Sequence, residues 1–453
     1  MSVTIVGDGD QMLYAFQGAN PNLLTQDIDK YIPNIQTIKL GINYRSQDEI
    51  IAKSQQLISH NYSDLEGPYP QEFMKDTQGV RGQGEPIQFR MYTNADLEAI
   101  SVATTIQELL QADYEPGDFF VGTRTRAQLG YLEGILVRAD IKFINITGGS
   151  FWQSKHVADV IAYLRLAHNT NDSKALERVY NIPSANHCYT WDDKNGRFKA
   201  GDYCPTRYLG REFLAKINND FNKIDRVMFG RDGWRYKTND KHYNLYGPTK
   251  AQDLQEFVWK LQELLSQTEN IGQIIRIIIN DCYERYLKAS EGAGDEGLSN
   301  AKLEDLATVE EIAGRYTSVN EFLAFVDENI KAAEDAKDKN WTNYVVLSTI
   351  HRLKGLERKV VFGLGWSEGI DTKTDEPRGL LPHTFSLTPP PDFGVLPSGS
   401  MSPVEDERCC AFVLITRASE RVYLSGIESY RSWIMWPSRF IQEMELIDNV
   451  LIL

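Results

Sequence analysis

The sequence predicts an α/β fold: a parallel sheet with helices on both faces, carrying a mostly helical inserted domain. Three observations lead there. From Pro86 to Ile146, strand-length apolar runs alternate with helical periodicity, the pattern of β-α-β units. The alternation resumes at Tyr344 and continues to Gly426. Between them lies an interval of roughly 160 residues that lacks this rhythm, a length that suits a separate domain.

The elements follow in order. Val3 to Val6 reads as a buried strand entering the polar turn Gly7-Asp8, with a helix after it. A second strand is expected over Gln36 to Leu40, ending in the loop Gly41 to Ser46. Then come the strand PIQFRMY, a helix from about Asn94 to Gln111, the strand DFFVGTR, a helix from Ala127 to Ala139, and the strand IKFINI. A helix with apolar Val157, Ile161, Leu164 and Leu166 closes this part. Asn169 to Gly247 is rich in Asn, Asp, Tyr and Trp with weak periodicity, and Leu254 to Ile330 is mostly helical, interrupted at Glu291 to Gly297. Strands return at Tyr344 to Ile350 and Lys359 to Gly363. A Pro-rich surface loop over Glu376 to Pro403, a helix over Val404 to Thr416 and the strand RVYLSG complete the pattern.

The domain boundaries expected from this are 1–37, 38–172, 173–339 and 340–453, with the second and fourth segments forming one split α/β domain. Five cysteines, irregularly spaced, do not make a disulfide framework and point to a reducing compartment. His187, Cys188, Cys204 and His242 do not have the spacing of compact zinc-ligand pairs, so ordinary buried thiols are the better reading and no metal site is assigned. No apolar run spans a bilayer and no signal peptide is expected, so the protein reads as soluble, cytoplasmic and without a membrane partner. With 48 Lys and Arg against 63 Asp and Glu, the net charge is −15, which argues against binding DNA through bulk charge but leaves room for a local basic groove.

Five motifs occur in a fixed order: GDGDQMLYAFQGA at Gly7 to Ala19, NYRS at Asn43 to Ser46, ITGGSFWQ at Ile146 to Gln153, LSTIHRLKGLE at Leu347 to Glu357, and ERCCAFVLITRA at Glu407 to Ala418. Each resembles a motif of the UvrD/Rep-type superfamily 1 DNA helicases, and together they span essentially the whole chain. The resemblance implies a RecA-like second motor domain, residues 38–172 and 340–453, interrupted by an inserted domain, with 1–37 a remnant of the first motor domain. No G-x-x-x-x-G-K-[ST] phosphate loop is present. The resemblance therefore implies the C-terminal half of a helicase, separately encoded or truncated. Its ATP site would be completed by a polypeptide carrying the Walker A and B half, which would also supply most Mg²⁺ ligands.

On this resemblance, Arg45 and Arg417 match arginines that reach across the cleft between two motor domains, a role suited to a planar guanidinium that stays charged. Gln11 matches the glutamine that senses the γ-phosphate and attacking water, since an amide both donates and accepts. Tyr44 matches the aromatic that stacks on adenine, while Glu357 and Lys354 match the cluster beside the nucleotide. Single-stranded DNA is held by aromatic faces, because every base offers a π-surface. Phe16 matches the base-stacking aromatic, with Tyr14 beside it, although a core pair under the strand end is the alternative. Thr349 and His351 resemble the segment linking DNA to ATP, with a structural histidine as the other reading. Phe151 and Trp152 are expected to combine packing with a DNA-side contact. The chain departs from the family where Gln17 stands for an Arg, Arg352 for a small residue and Arg358 for a Phe.

The implied activity is ATP-driven translocation along single-stranded DNA in the 3′ to 5′ direction, with single-stranded and duplex DNA as partners and the isolated chain inactive. The competing expectation is a non-catalytic DNA- or protein-binding module, which would have no use for Gln11, Arg45 and Arg417 together.

Overall fold

A computed structural model describes residues 4–13, 28–32, 35–36, 38–62, 74–183, 189–192, 197–200, 207, 209, 211–224, 241–291, 296–336, 341–388, 403–446 and 451–452. Two compact units result, one made of residues 1–149 and 332–453, the other of 150–331. The helix Lys155–His168 belongs to the second unit, so the first unit ends at Gly149 rather than near residue 172.

The centre of the first unit is a sheet of seven strands: β1 (Gln88–Tyr92), β2 (Phe119–Thr123), β3 (Phe143–Asn145), β4 (Val345–Thr349), β5 (Arg358–Gly363), β6 (Ala418–Ile427) and β7 (Leu451–Ile452). Their spatial order is β7-β1-β6-β5-β2-β4-β3, and every pair in it is parallel. Parallel strands require crossovers and are buried on both faces, which is why β2 and β4 read as near-continuous apolar runs.

Side chains alternate across the sheet. Phe89 and Met91 of β1 enter a core with Ile50 and Leu57 of the helix Asp48–Ser59 and Leu414 and Ile415 of the helix Pro403–Ile415. Tyr92, on the opposite face, bonds Ser101 of the helix Ala95–Gln111 at 2.5 Å. The sheet is therefore covered on both sides, as the pattern predicted. Asn94 caps that second helix by accepting from the Asp96 and Leu97 amides, in agreement with the expected start.

A smaller antiparallel sheet flanks it, ordered Pro377–Gly379, Ser367–Asp371, Trp433–Pro437, Ser429–Tyr430. The stretch expected to be a plain surface loop from Glu376 thus begins with a hairpin, because Ile370 pairs with Pro377 and Glu368 with Gly379. The hairpin returns His383 to the core, where its amide donates to Glu407 at 3.0 Å.

The two expected N-terminal strands do not form. Residues 4–8 and 38–40 have no regular structure, and only Ile42–Asn43 pairs, with Gln78–Gly79. A strand needs a neighbour for its backbone groups, and among the described residues no strand pairs with these segments. Val6 and Leu40 are accordingly 84% and 78% exposed.

The second unit is mostly helical, with Lys155–His168, Lys241–Gln267, Ile271–Ile278, Glu296–Ala313 and most of Val319–Ala336 as its main helices. A short antiparallel pair, Tyr189–Asp192 with Arg197–Ala200, falls in the interval where periodicity is weak. His187, Cys188 and Cys204 lie outside the described residues, as does the side chain of His242. Cys282, Cys409 and Cys410 are buried free thiols. Among the described residues no helix is long and apolar enough to cross a membrane.

Candidate functional site

Residues far apart in sequence meet at the amino ends of β5 and β6, in the first unit. Asn43 folds the NYRS segment into a side-chain-mimicked turn, its Oδ1 accepting from the Arg45 and Ser46 amides at 2.8 and 3.0 Å. Ser46 Oγ then donates to the Ala418 carbonyl at 2.7 Å and pins the turn against the start of β6. The result leaves Tyr44 with its ring 73% exposed and aims Arg45 inward.

Arg45 Nε donates to Glu357 Oε2 at 2.5 Å, and its Nη1 to the Thr416 carbonyl at 3.1 Å. Glu357 follows a turn at Gly355, whose φ of +86° is a left-handed conformation that costs a glycine little. On the other side of that turn, Lys354 Nζ donates to the Gln11 carbonyl oxygen at 2.8 Å.

Arg417 closes the group. Its guanidinium donates to the Val413 and Leu356 carbonyls at 2.9 and 3.3 Å, to Thr416 Oγ1 at 3.1 Å and to Gln11 Oε1 at 3.4 Å. The residue is 1% exposed, and among the described residues no carboxylate makes an ion pair with it. Burial and the neighbouring Arg45 charge push its pKa down to about 10, partly opposed by Asp8 and Glu357. It therefore remains a cation at neutral pH. A buried cation satisfied only by neutral acceptors is costly unless an anion completes its surroundings, so this position favours a negatively charged ligand.

Gln11 sits in the short helix Gly9–Gln11, capped by Asp8. Its Nε2 donates to Asp8 Oδ2 at 2.8 Å. Lys75 donates to Asp8 Oδ1 and, at 3.1 Å, to Asp10 Oδ2, while Tyr62 donates to Asp10 Oδ1 at 2.5 Å. Burial raises the Asp10 pKa, with Lys75 opposing, and the two carboxylates raise that of Lys75 against its own burial. Lys75 and Tyr62 escaped the motif reading, because nothing in the local pattern marks a residue for contact with a turn more than fifty positions away.

Thr349 ends β4 and His351 lies in the helix Ile350–Leu353 directly after it. Since all strands run the same way, this places both at the carboxyl ends of the sheet, with Ile350 to Glu357 leading back to the Arg45 cluster. His351 is pushed down to about 4 by burial and the Arg124 charge, against Glu407, and is neutral at physiological pH. Arg124 is itself held by Glu407 through Nε at 2.8 Å.

Two other expectations fare differently. Tyr14, Phe16 and Gln17 lie outside the described residues. Phe151 and Trp152, expected partly on a DNA side, are both fully buried in the second unit. The Trp152 ring lies 5.2 Å from Phe151 and 5.3 Å from Phe325, edge-on to each. No ring face remains for a base to stack on, so the packing half of that expectation stands alone. The Gly-Gly turn before them directs the pair into an aromatic core rather than onto the surface.

A family model described as the UvrD-like helicase C-terminal domain matches residues 38–194. Over 98% of its length the chain is 26% identical to the ATP-dependent DNA helicase UvrD1 of Mycobacterium bovis, covering 53% of that protein. It is 27% identical to the ATP-dependent DNA helicase PcrA of Leuconostoc citreum, over 99% of the chain and 54% of the relative. A putative ATP-dependent DNA helicase, YjcD of Bacillus subtilis, is 26% identical over 96% of the chain and 49% of its own length. The chain thus spans about half the length of the curated relatives it matches.

Proposed function

Because this chain is the counterpart of the C-terminal half of UvrD/Rep-type superfamily 1 DNA helicases, we propose that it supplies one side of an ATP hydrolysis site that drives movement along DNA. Residues 38–149 and 332–453 of the first unit form the RecA-like second motor domain, and residues 1–37 are a remnant of the first motor domain. A second polypeptide segment provides the phosphate loop, its Lys and the acidic pair for Mg²⁺. When bound, that ion supplies charge neutralisation between the β- and γ-phosphates.

The observation that carries this reading is the buried Arg417 cation, with no carboxylate partner among the described residues, 3.4 Å from the Gln11 amide. In the closed site Arg417 donates to the γ-phosphate oxygens as negative charge moves toward the leaving oxygen. Arg45 does the same once Glu357, now its partner at 2.5 Å, turns to the nucleotide. Gln11 accepts from the attacking water and donates to a phosphate oxygen, and the exposed Tyr44 ring covers the adenine. Lys354 holds the Gln11 backbone in place. Thr349 and His351 contact single-stranded DNA at the other end of the sheet, and the Ile350 to Glu357 segment links the two sites. His351, being neutral, contacts DNA as a hydrogen-bonding ring. The motor runs 3′ to 5′ in the cytoplasm, and the isolated chain is inactive.

The exposed apolar residues Ile5, Val6, Ile38, Leu40 and Ile42 support the same picture, since contact with another lobe would remove apolar surface from water. The test is to combine the purified chain with a polypeptide carrying the phosphate-loop half and measure ATP hydrolysis with and without single-stranded DNA. Hydrolysis is expected only from the pair, and Arg417→Ala or Arg45→Ala should lower it by about 10³-fold. DNA binding with no hydrolysis under any combination would instead identify a binding module.

A further inference from the structure

Lys75 belongs to none of the motifs, yet its ammonium sits between two carboxylates of the GDGDQ turn. It donates to Asp8 Oδ1 and to Asp10 Oδ2, the latter at 3.1 Å. Asp10 is held from its other side by Tyr62 and is 3% exposed. The free end of Asp8, Oδ2, accepts from Gln11 Nε2 at 2.8 Å. A carboxamide has a donating end and an accepting end, and fixing one decides where the other faces. With Nε2 on Asp8, Gln11 Oε1 is turned to Arg417 Nη2, 3.4 Å away.

We propose that Lys75 is a positioning residue for Gln11: it screens the Asp8 and Asp10 carboxylates from one another and locks that of Asp8, which in turn sets the amide of Gln11 toward Arg417. This rests on the reading of Gln11 and Arg417 as nucleotide-site residues. Without the ammonium, the two carboxylates repel across the turn and Asp8 rotates toward solvent, leaving the Gln11 amide free to flip. Lys75 touches no reacting atom, so its removal acts on the chemical step through Gln11 and leaves nucleotide binding nearly unchanged.

Two measurements on the full chain test this. In the first, the chain paired with a phosphate-loop polypeptide is assayed for ATP hydrolysis with single-stranded DNA. Lys75→Met should lower kcat by about 10-fold with KM for ATP within about 2-fold, as expected for loss of a supporting partner. Lys75→Arg should recover most of the loss, and Lys75→Met combined with Asp8→Asn should be no worse than Asp8→Asn alone. A kcat within about 2-fold of wild type for Lys75→Met, or no recovery in Lys75→Arg, overturns the proposal. In the second, the Gln11 side-chain amide signals of ¹⁵N-labelled chain, assigned through Gln11→Ala, are followed without nucleotide. The wild type should show shifts displaced from those of a free carboxamide that move toward the free values in Lys75→Met, and unchanged signals overturn the proposal. If the wild-type pair hydrolyses no ATP, the nucleotide-site reading is lost, and the amide spectrum alone decides whether Lys75 orients Gln11.

Discussion

Glu98 and Arg417 are both buried ionisable residues of the first unit, and their surroundings treat them in opposite ways. Arg417 keeps its charge at neutral pH beside neutral acceptors. Glu98 Oε1 accepts from the Gly365 amide at 2.9 Å and Ser425 Oγ at 2.7 Å, but burial dominates and pushes its pKa up to about 7. An unfolded Glu titrates near 4.3, so between about pH 4.3 and 7 the folded state binds more protons. Stability from this group is present below that window and lost as pH rises through it. Glu98→Gln, which keeps the accepting oxygen, is expected to raise the unfolding midpoint at pH 8 and to lose that advantage by pH 5. The gain corresponds to at most about 4 kcal/mol. Thermal unfolding at the two pH values checks it, and an equal effect at both would show that the charge is not the cause. The candidate site was legible at this scale wherever a motif named the residue, as with Gln11, Arg45 and Arg417. Lys75 was not, since its role comes from the carboxylates it meets across the fold.

Among the elements, the alternating stretch from β1 to β3 was readable because local pattern and local caps agree. The helix Ala95–Gln111 begins where Asn94 offers its side chain to two amides that would otherwise lack partners. Asn94→Ala is expected to destabilise the first unit by about 1 kcal/mol, measured as a shift in denaturant midpoint at constant slope. The hairpin Ser367–Asp371 with Pro377–Gly379 was missed because its second strand is only three residues long and opens with a proline, signals that read as loop. The strands expected at Val3 to Val6 and Gln36 to Leu40 failed for the converse reason. Their composition suits a sheet, but composition does not provide a neighbour.

For the whole molecule, the consequence of those unpaired segments is exposed apolar surface. Ile5, Val6, Ile38, Leu40 and Ile42, all in the first unit, are each about half or more exposed. The isolated chain is expected to self-associate with rising concentration, and the double variant Ile38→Lys with Leu40→Glu to remain monomeric in sedimentation analysis. A phosphate-loop polypeptide that docks there should also suppress the self-association of the wild type. Persistent association of the double variant would place the sticky surface elsewhere.

Period-two and helical patterning already determined the α/β class and the interrupted domain, and the order of five motifs carried the resemblance that pointed to Gln11, Arg45 and Arg417 as candidates. These are local properties, written in which side chains recur on one face. Only the tertiary structure decided that Arg45 meets Glu357 across 312 positions, that Lys75 reaches Asp8 across 67, and that Phe151 and Trp152 turn inward. Contacts of that kind depend on what the fold brings opposite a residue, and the surrounding sequence carries no record of it.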